Sequence, residues 1–197
     1  MELRMPTWEQ VETVYHSDLT PSFPASELKP LRAIGEMWRD GWYRPWCLFD
    51  GDEIVGECFL WLGRPGWLLL DYLCVSPRRR NSGTGALILE KMLEREAGNV
   101  ILGESEAPIH APDPEMARRR LGFYARNHAR TAGYDTDMFG AHYKTLYWAD
   151  REIPDEELMD QHRFIYQNRF SPEKYARYVQ IPRDPEAPPI LAVPWDE

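Results

Sequence analysis

A mixed α/β (α+β) fold, with a mostly antiparallel central sheet and helices on both faces, is predicted by three observations. Apolar runs at residues 46–49, 53–62 and 67–75 are separated only by short turns, the pattern of an antiparallel meander. A glycine turn and an amphipathic stretch, Gly85 to Ala97, join the third run to another apolar run that opens at Val100. Strand, helix and strand in that order make a right-handed crossover, so the strand at Val100 lies parallel to the one at Trp67. Helical spacing recurs on either side of this unit.

In chain order, Glu2 to Met5 reads as a short first strand. Thr7 followed by Gln10 resembles a capping box for a helix through Asp18. Pro21, Ser22, Phe23 and Pro24 break the chain, and a second helix is predicted over Ala25 to Asp40, with Leu28, Leu31, Ile34 and Trp38 at helical spacing and Gly41 as the stop. Trp46 to Phe49 and Glu53 to Leu62 flank Asp50-Gly51-Asp52 as a hairpin. Gly63 to Gly66 turns the chain into the apolar strand Trp67 to Val75. The helix Gly85 to Ala97 presents Ala86, Leu89 and Leu93 inward with Met92 beside them, and Glu90, Lys91, Glu94 and Arg95 outward. After the strand Val100 to Glu106, a helix from Glu115 to Thr131 carries Ala117, Leu121, Tyr124, Ala125 and His128 on one side. Gly122 inside it costs about 1 kcal/mol relative to Ala. Tyr134 to Trp148 has strand character and Asp155 to Arg169 is helical again. One domain is expected over residues 1–181, followed by a tail, 182–197, whose five prolines preclude regular structure and imply a strap or a mobile end.

The chain of 197 residues has 32 Asp and Glu against 23 Lys and Arg, a net charge of -9. That balance argues against sequence-independent nucleic-acid binding, where basic surface supplies the affinity. Cys47, Cys58 and Cys74 form no CxxC pair and are expected as buried free thiols. No run approaches the roughly 20 apolar residues that span a bilayer, and the N-terminus lacks a signal-peptide core, so a cytoplasmic protein with no membrane partner is expected. The five histidines show neither HExxH spacing nor zinc spacing with cysteine, so no metal is expected.

The turn Arg80-Asn81-Ser82-Gly83-Thr84-Gly85 joins a strand to a helix N-terminus, where free N–H groups and the helix dipole favour an anion. A Walker loop requires Gly-Lys-Ser/Thr, but Gly85 is followed by Ala86 and Leu87. A dinucleotide fingerprint requires a small residue where Ile88 stands. The pattern Arg/Gln-x-x-Gly-x-Gly/Ala fits, and with the meander, Val75-Ser76-Pro77, the amphipathic helix, the next strand and Phe123-Tyr124 it resembles the GCN5-related N-acetyltransferases over residues 45–150. The resemblance implies a parallel β-α-β splay at an acetyl-coenzyme A site. It also implies that Arg80, Asn81, Ser82, Gly83, Thr84, Gly85 and Ala86 hold the diphosphate. By the same likeness Leu73, Cys74 and Val75 lie along the cosubstrate, a backbone N–H of Leu73 or Val75 serves the oxyanion, and Tyr124 protonates the leaving thiolate.

For the base, Glu104 and Glu106 share a strand face and Asp71 lies on the neighbouring strand; carboxylates on core strands are costly to bury without a task. Ion pairs with Arg119 or Arg120 explain the same acids equally well, and a water chain needs no single base. Family members often have Asn-Gly where this chain has Asn127-His128, which leaves His128 as either a base or a core residue. The expected reaction is acyl transfer from coenzyme A to a primary amine by direct attack, with Trp38, Trp42, Tyr43 and the Phe23 segment walling the acceptor pocket. A small cationic amine is preferred to a protein acceptor, and the chain is expected to act as a monomer or homodimer. A non-catalytic acetyl-coenzyme A sensor is the alternative of a different class.

Overall fold

The computed structural model of the chain describes residues 1–188 and 190. They gather into two compact units, one of Met1–Leu62 with Leu70–Ala97, the other of Gly63–Leu69 with the residues from Gly98 onward.

The first unit contains β1 (Glu2–Arg4), α1 (Trp8–Val14) prolonged by a π-helical stretch over Tyr15–Leu19, α2 (Leu31–Arg39), β2 (Tyr43–Asp50), β3 (Glu53–Leu62), the greater part of β4 (Trp67–Val75), and α3 (Thr84–Arg95). The capping box forms: Thr7 Oγ1 accepts from the Gln10 N–H at 3.3 Å, and Gln10 Oε1 accepts from the Thr7 N–H at 2.8 Å. α2 starts six residues later than Ala25. Pro30 takes the N-cap position at ψ 141°, and a residue preceding proline is biased away from helix, so the chain before Leu31 makes turns onto Pro24 instead. β1 pairs antiparallel with β2 and β2 with β3, in a register that sets Leu3 opposite Leu48 and Cys47 opposite Glu57, and β4 follows β3. The expected inner stripe of α3 is rotated: Thr84, Ile88, Leu89 and Met92 are buried, whereas Ala86 and Leu93 are half-buried. The cause lies on β3. A Cβ on Gly56 would stand 2.7 Å from Ile88 Cδ1 and 2.8 Å from the Cys74 carbonyl oxygen, so the bare glycine lets α3 descend onto the sheet at Ile88. Behind the helix, Glu96 is buried and accepts from Arg44 Nη1 at 2.6 Å and Trp46 Nε1 at 2.9 Å.

The second unit contains the first residues of β4, then β5 (Val100–Glu106), α4 (Pro114–Arg126), β6 (Arg130–Met138), β7 (Ala141–Trp148), α5 (Asp155–Gln167), α6 (Pro172–Tyr178) and β8 (Val179–Gln180). Its strand order is the start of β4, then β5, β7, β6 and β8. The β4–β5 pair is the parallel one that the crossover predicts, opened by the Val100 N–H on the Gly66 carbonyl at 2.8 Å. β5–β7, β6–β7 and β6–β8 are antiparallel. The strand character read over Tyr134 to Trp148 is two strands turned at Phe139-Gly140. α4 passes Gly122 without a break and ends at Arg126, not Thr131. Asn127 leaves helical geometry and His128 adopts a left-handed φ of 68°, so the helix stops where the family pattern has glycine. Neither Ala125 nor His128 is on an inner face; both are exposed. α6 and β8 carry too few residues for a periodic signal and are absent from the sequence reading. Of the proline-rich tail, Arg183 is tied to β6 through its N–H on the Asp135 carbonyl at 2.7 Å and its Nε on Asp137 at 3.2 Å. Pro189 and residues 191–197 lie outside the described residues. Among the described residues no helix is long and apolar enough to cross a membrane.

Candidate active site

In the first unit, β4 delivers the chain to a single turn of 3-10 helix, Pro77–Arg79, and the loop Arg80 to Gly83 leads into α3. Asn81 at φ 61° and Gly83 at φ 82° turn the backbone; Gly83 has open space around it, so its conformation and not its size calls for glycine. It is the N-cap of α3 and lends the helix no side-chain cap, which leaves the first-turn N–H groups of Thr84, Gly85 and Ala86 available to an anion at the positive end of a 12-residue helix. The loop braces itself: Ser82 Oγ donates to the Arg79 carbonyl and lies 2.8 Å from Thr84 Oγ1. Arg79 turns to Asp50 and Glu53 of the β2–β3 turn at 3.0 and 3.4 Å, whereas Arg80 reaches the Val75 carbonyl at 3.3 Å and Ser22 Oγ at 3.0 Å. The positions expected to hold the diphosphate thus divide between the loop, Arg80 to Gly83, and the first turn of α3, Thr84 to Ala86.

Leu73 and Val75 are half-buried and alternate with buried Tyr72 and Cys74 on β4. Cys74 donates to Ser22 Oγ at 3.4 Å and to the Asp18 carbonyl at 3.5 Å. Burial, with Glu57 nearby, pushes its thiol up to about 12, which removes it as an acyl carrier at neutral pH. All three cysteines are free and buried, as expected.

Asp71 is not free to serve as a simple base. Lys29 Nζ lies 2.7 Å from its Oδ1, the two side chains being 4% and 8% exposed, and Tyr43 donates to its other oxygen. The ammonium stands over the rings of Trp61 at 4.5 Å and Tyr72 at 5.5 Å, and Tyr72 holds the segment that carries Lys29 by accepting the Lys29 N–H and donating to the Glu27 carbonyl. The aromatic wall predicted as one surface divides in two. Phe23 packs edge-on against Tyr72 at 5.1 Å and Tyr43 against Phe59 at 5.9 Å, but Trp38 is drawn to Trp8, 6.1 Å away, in a separate cleft with Arg32, Gly35, Glu36 and Arg39.

In the second unit, α4 holds Tyr124 between Phe123 and Trp148, whose rings lie at 5.3 and 5.8 Å. Burial pushes the Tyr124 phenol up and Arg120, one turn earlier, opposes it, so the hydroxyl keeps a proton to donate. The turn after α4 is fixed by the Asn127 amide on the Phe123 carbonyl and by Trp148 Nε1 on the Asn127 carbonyl, both at 2.8 Å. Glu106 and Arg120 stand at 4.0 Å, a long ion pair. Glu104 accepts from the Tyr166 hydroxyl and faces His162, two residues that sequence reasoning missed, since nothing local in α5 marks them. Lys29 was missed for the same reason, being read as one position of a helix that does not form there.

The Acetyltransferase (GNAT) family matches residues 8–123. YjbC of Bacillus subtilis (strain 168), a protein that carries the name acetyltransferase, is 24% identical over 161 residues, 78% of this chain and 80% of its own length. Among solved structures, a GNAT-family acetyltransferase of Bacteroides thetaiotaomicron aligns at a TM-score of 0.69 and 22% identity, over 83% of this chain and 95% of that one. A Bacillus subtilis acetyltransferase in complex with coenzyme A aligns at a TM-score of 0.52 and 15% identity, over 74% and 95%. Structural likeness at such identities speaks for the fold. The family match covers more than half of the chain and includes its glycine loop, and on that match the chain belongs to the GNAT family of acetyltransferases.

Proposed function

We propose that this N-acetyltransferase moves an acetyl or other short acyl group from coenzyme A to a primary amine, by direct attack in a ternary complex. The observation that carries the reading is the uncapped first turn of α3 behind a left-handed Gly83, a set of backbone donors suited to a diphosphate. Acetyl-coenzyme A supplies a thioester already activated for attack. Arg80 to Ala86 bind it, Leu73 to Val75 run beside it, and the N–H of Leu73 or Val75 steadies the oxyanion. Tyr124 donates a proton to the departing thiolate, a role supported by a phenol that burial keeps protonated.

Of the three acids, Glu104 is proposed as the base. A proton on Asp71 would remove the carboxylate charge that stands 2.7 Å from the buried Lys29 ammonium, whereas Glu104 is held by the Tyr166 hydroxyl and the His162 ring and keeps 16% of its side chain exposed. Glu106 is the second acid on that face. The same reading takes residues 1–181 as the acetyltransferase domain. It has a small cationic amine as acceptor, in keeping with the charge of -9, and a cytoplasmic monomer or homodimer as the working form.

Acetyl-coenzyme A at 100 times its Kd should stabilise the protein by about 2.7 kcal/mol, visible as a rise in Tm. Thiol release across a panel of polyamines, aminoglycosides, amino acids and peptides should then find an acceptor. No rise in Tm refutes the loop assignment; a rise without thiol release on any amine turns the reading to a sensor.

A further inference from the structure

A buried hydrogen-bonded chain runs through the second unit. His162 Nε2 lies 2.6 Å from Glu104 Oε1, His162 Nδ1 lies 3.2 Å from the Tyr134 hydroxyl, and the Tyr166 hydroxyl donates to Glu104 Oε1 at 2.8 Å and Oε2 at 3.0 Å. His162 and Tyr166 are four residues apart on α5 and so share a helix face, while Glu104 comes from β5 and Tyr134 from β6. Exposure falls steeply along the chain. The His162 side chain is 0% exposed, Tyr166 1% and Tyr134 7%, against 16% for the Glu104 side chain. Glu104 is therefore the member of this chain most open to solvent.

We propose that His162 is a positioning residue that works through Glu104, with Tyr134 behind it fixing the imidazole tautomer. This rests on the reading of Glu104 as the base. A neutral imidazole has one donor and one acceptor nitrogen. The Tyr134 hydroxyl, donating to Nδ1, leaves the proton on Nε2, where it points at Glu104 Oε1. Burial pushes the Tyr134 phenol up, with Thr145 opposing and Glu104 and Asp155 adding to it against Arg163, so Tyr134 remains a donor. Held on Oε1 by His162 and straddled by Tyr166, the carboxylate has its orientation set, and Oε2 is the oxygen left with the lighter hydrogen-bond load. In the transfer step the C–S bond of the thioester breaks, its electron pair leaving on sulfur, which takes the Tyr124 proton; the acceptor N–H bond breaks, its electron pair forms the C–N bond to the thioester carbon, and the amine proton forms a new bond to Oε2. It then leaves to water from the exposed edge. A carboxylate and an imidazole buried together only to stabilise the fold would need no open end and no tautomer.

The experiment compares His162→Ala, His162→Gln, Tyr134→Phe and Glu104→Gln in steady-state kinetics with acetyl-coenzyme A and the best amine of the panel. The glutamine amide reaches the place of Nε2 and donates the same hydrogen bond. His162→Ala should lower kcat about 10-fold to 100-fold, the scale of a misaligned catalytic group, with KM for acetyl-coenzyme A unchanged. His162→Gln should recover most of that loss and Tyr134→Phe should fall between them. A wild-type rate in both His162→Ala and Tyr134→Phe, when Glu104→Gln is inactive, overturns the inference and leaves the base intact. Undiminished turnover in Glu104→Gln overturns the base itself. Should His162→Ala not fold, nitrogen-15 NMR of the wild-type imidazole decides: a proton on Nε2 at neutral pH is expected, and a proton on Nδ1 alone refutes the arrangement.

Discussion

Replacing Asp71 by asparagine removes the counter-charge of Lys29 and keeps the shape. The pair is 2.7 Å apart with 4% and 8% side-chain exposure, so water cannot take over the ammonium. Breaking a buried pair from one side typically costs 3–5 kcal/mol, and the faces of Trp61 and Tyr72 over the ammonium place Asp71→Asn near the lower end, about 3 kcal/mol. At an m-value of about 2 kcal/mol/M, the urea midpoint should fall by about 1.5 M. Adding Lys29→Met removes the buried ammonium, while the asparagine oxygen still accepts from Tyr43. K29M/D71N should therefore recover all but about 1 kcal/mol, which makes it about 2 kcal/mol more stable than Asp71→Asn alone. Turnover in the double variant bears on chemistry. If Asp71 is scaffold, K29M/D71N retains kcat within a few-fold; if it is the base, kcat stays low although stability returns. A single Asp71→Asn that costs less than about 1 kcal/mol would refute the account of the pair.

Two further outcomes follow from buried groups. Glu57 is fully buried, and burial, then the charge of Asp18, raises its pKa well above the usual carboxylate range while the Cys74 thiol opposes. A raised acid pKa means that the native state holds a proton which the unfolded chain releases above about pH 4.3, so stability is complete below that value and is lost as pH rises towards the native pKa. Between pH 5 and pH 7 wild type should lose stability relative to Glu57→Gln, by at most about 1.4 kcal/mol per pH unit, read from urea midpoints at both values. Parallel pH dependences would count against it. Tyr124→Phe should lower kcat on the order of 100-fold with little change in KM for acetyl-coenzyme A, and a wild-type kcat would remove Tyr124 as the acid.

What could be read in the sequence was local. Thr7 and Gln10 are three residues apart, the glycine loop is six residues long, and β4 is an apolar run interrupted only by Asp71, so each signal fits within one element. Pro30 was equally legible, since it lacks an N–H and biases the residue before it; the apolar spacing of Leu28 and Leu31 outweighs it in a periodicity count and starts the helix six residues too early. The orientation of α3 was not legible, because Gly56, which lets Ile88 approach, lies on another strand. Side-chain partners were beyond reach altogether. Lys29 and Asp71 are 42 positions apart, and Glu104 and His162 are 58, separations at which no period in the sequence connects them.

The acids show why such pairings bear on function. Cost of burial singled out Asp71 and Glu104 by one rule, and the rule has no means of ranking them, because it counts carboxylates and not what faces them. Their partners rank them. Lys29 is cationic and buried on an aromatic bed, so the Asp71 carboxylate balances a charge already present, and any proton it took would unbalance it. Tyr166 donates from a neutral hydroxyl, and His162 is able to donate from a neutral ring, so Glu104 is oriented without its charge being consumed. A base must be aligned and still able to change its protonation state. A hydrogen-bonded carboxylate with neutral donors and an open edge meets both conditions, whereas an ion-paired one meets only the first. On this argument Asp71 and Lys29 hold the irregular segment before α2 in place, and Glu104, through His162, is where proton transfer should be sought.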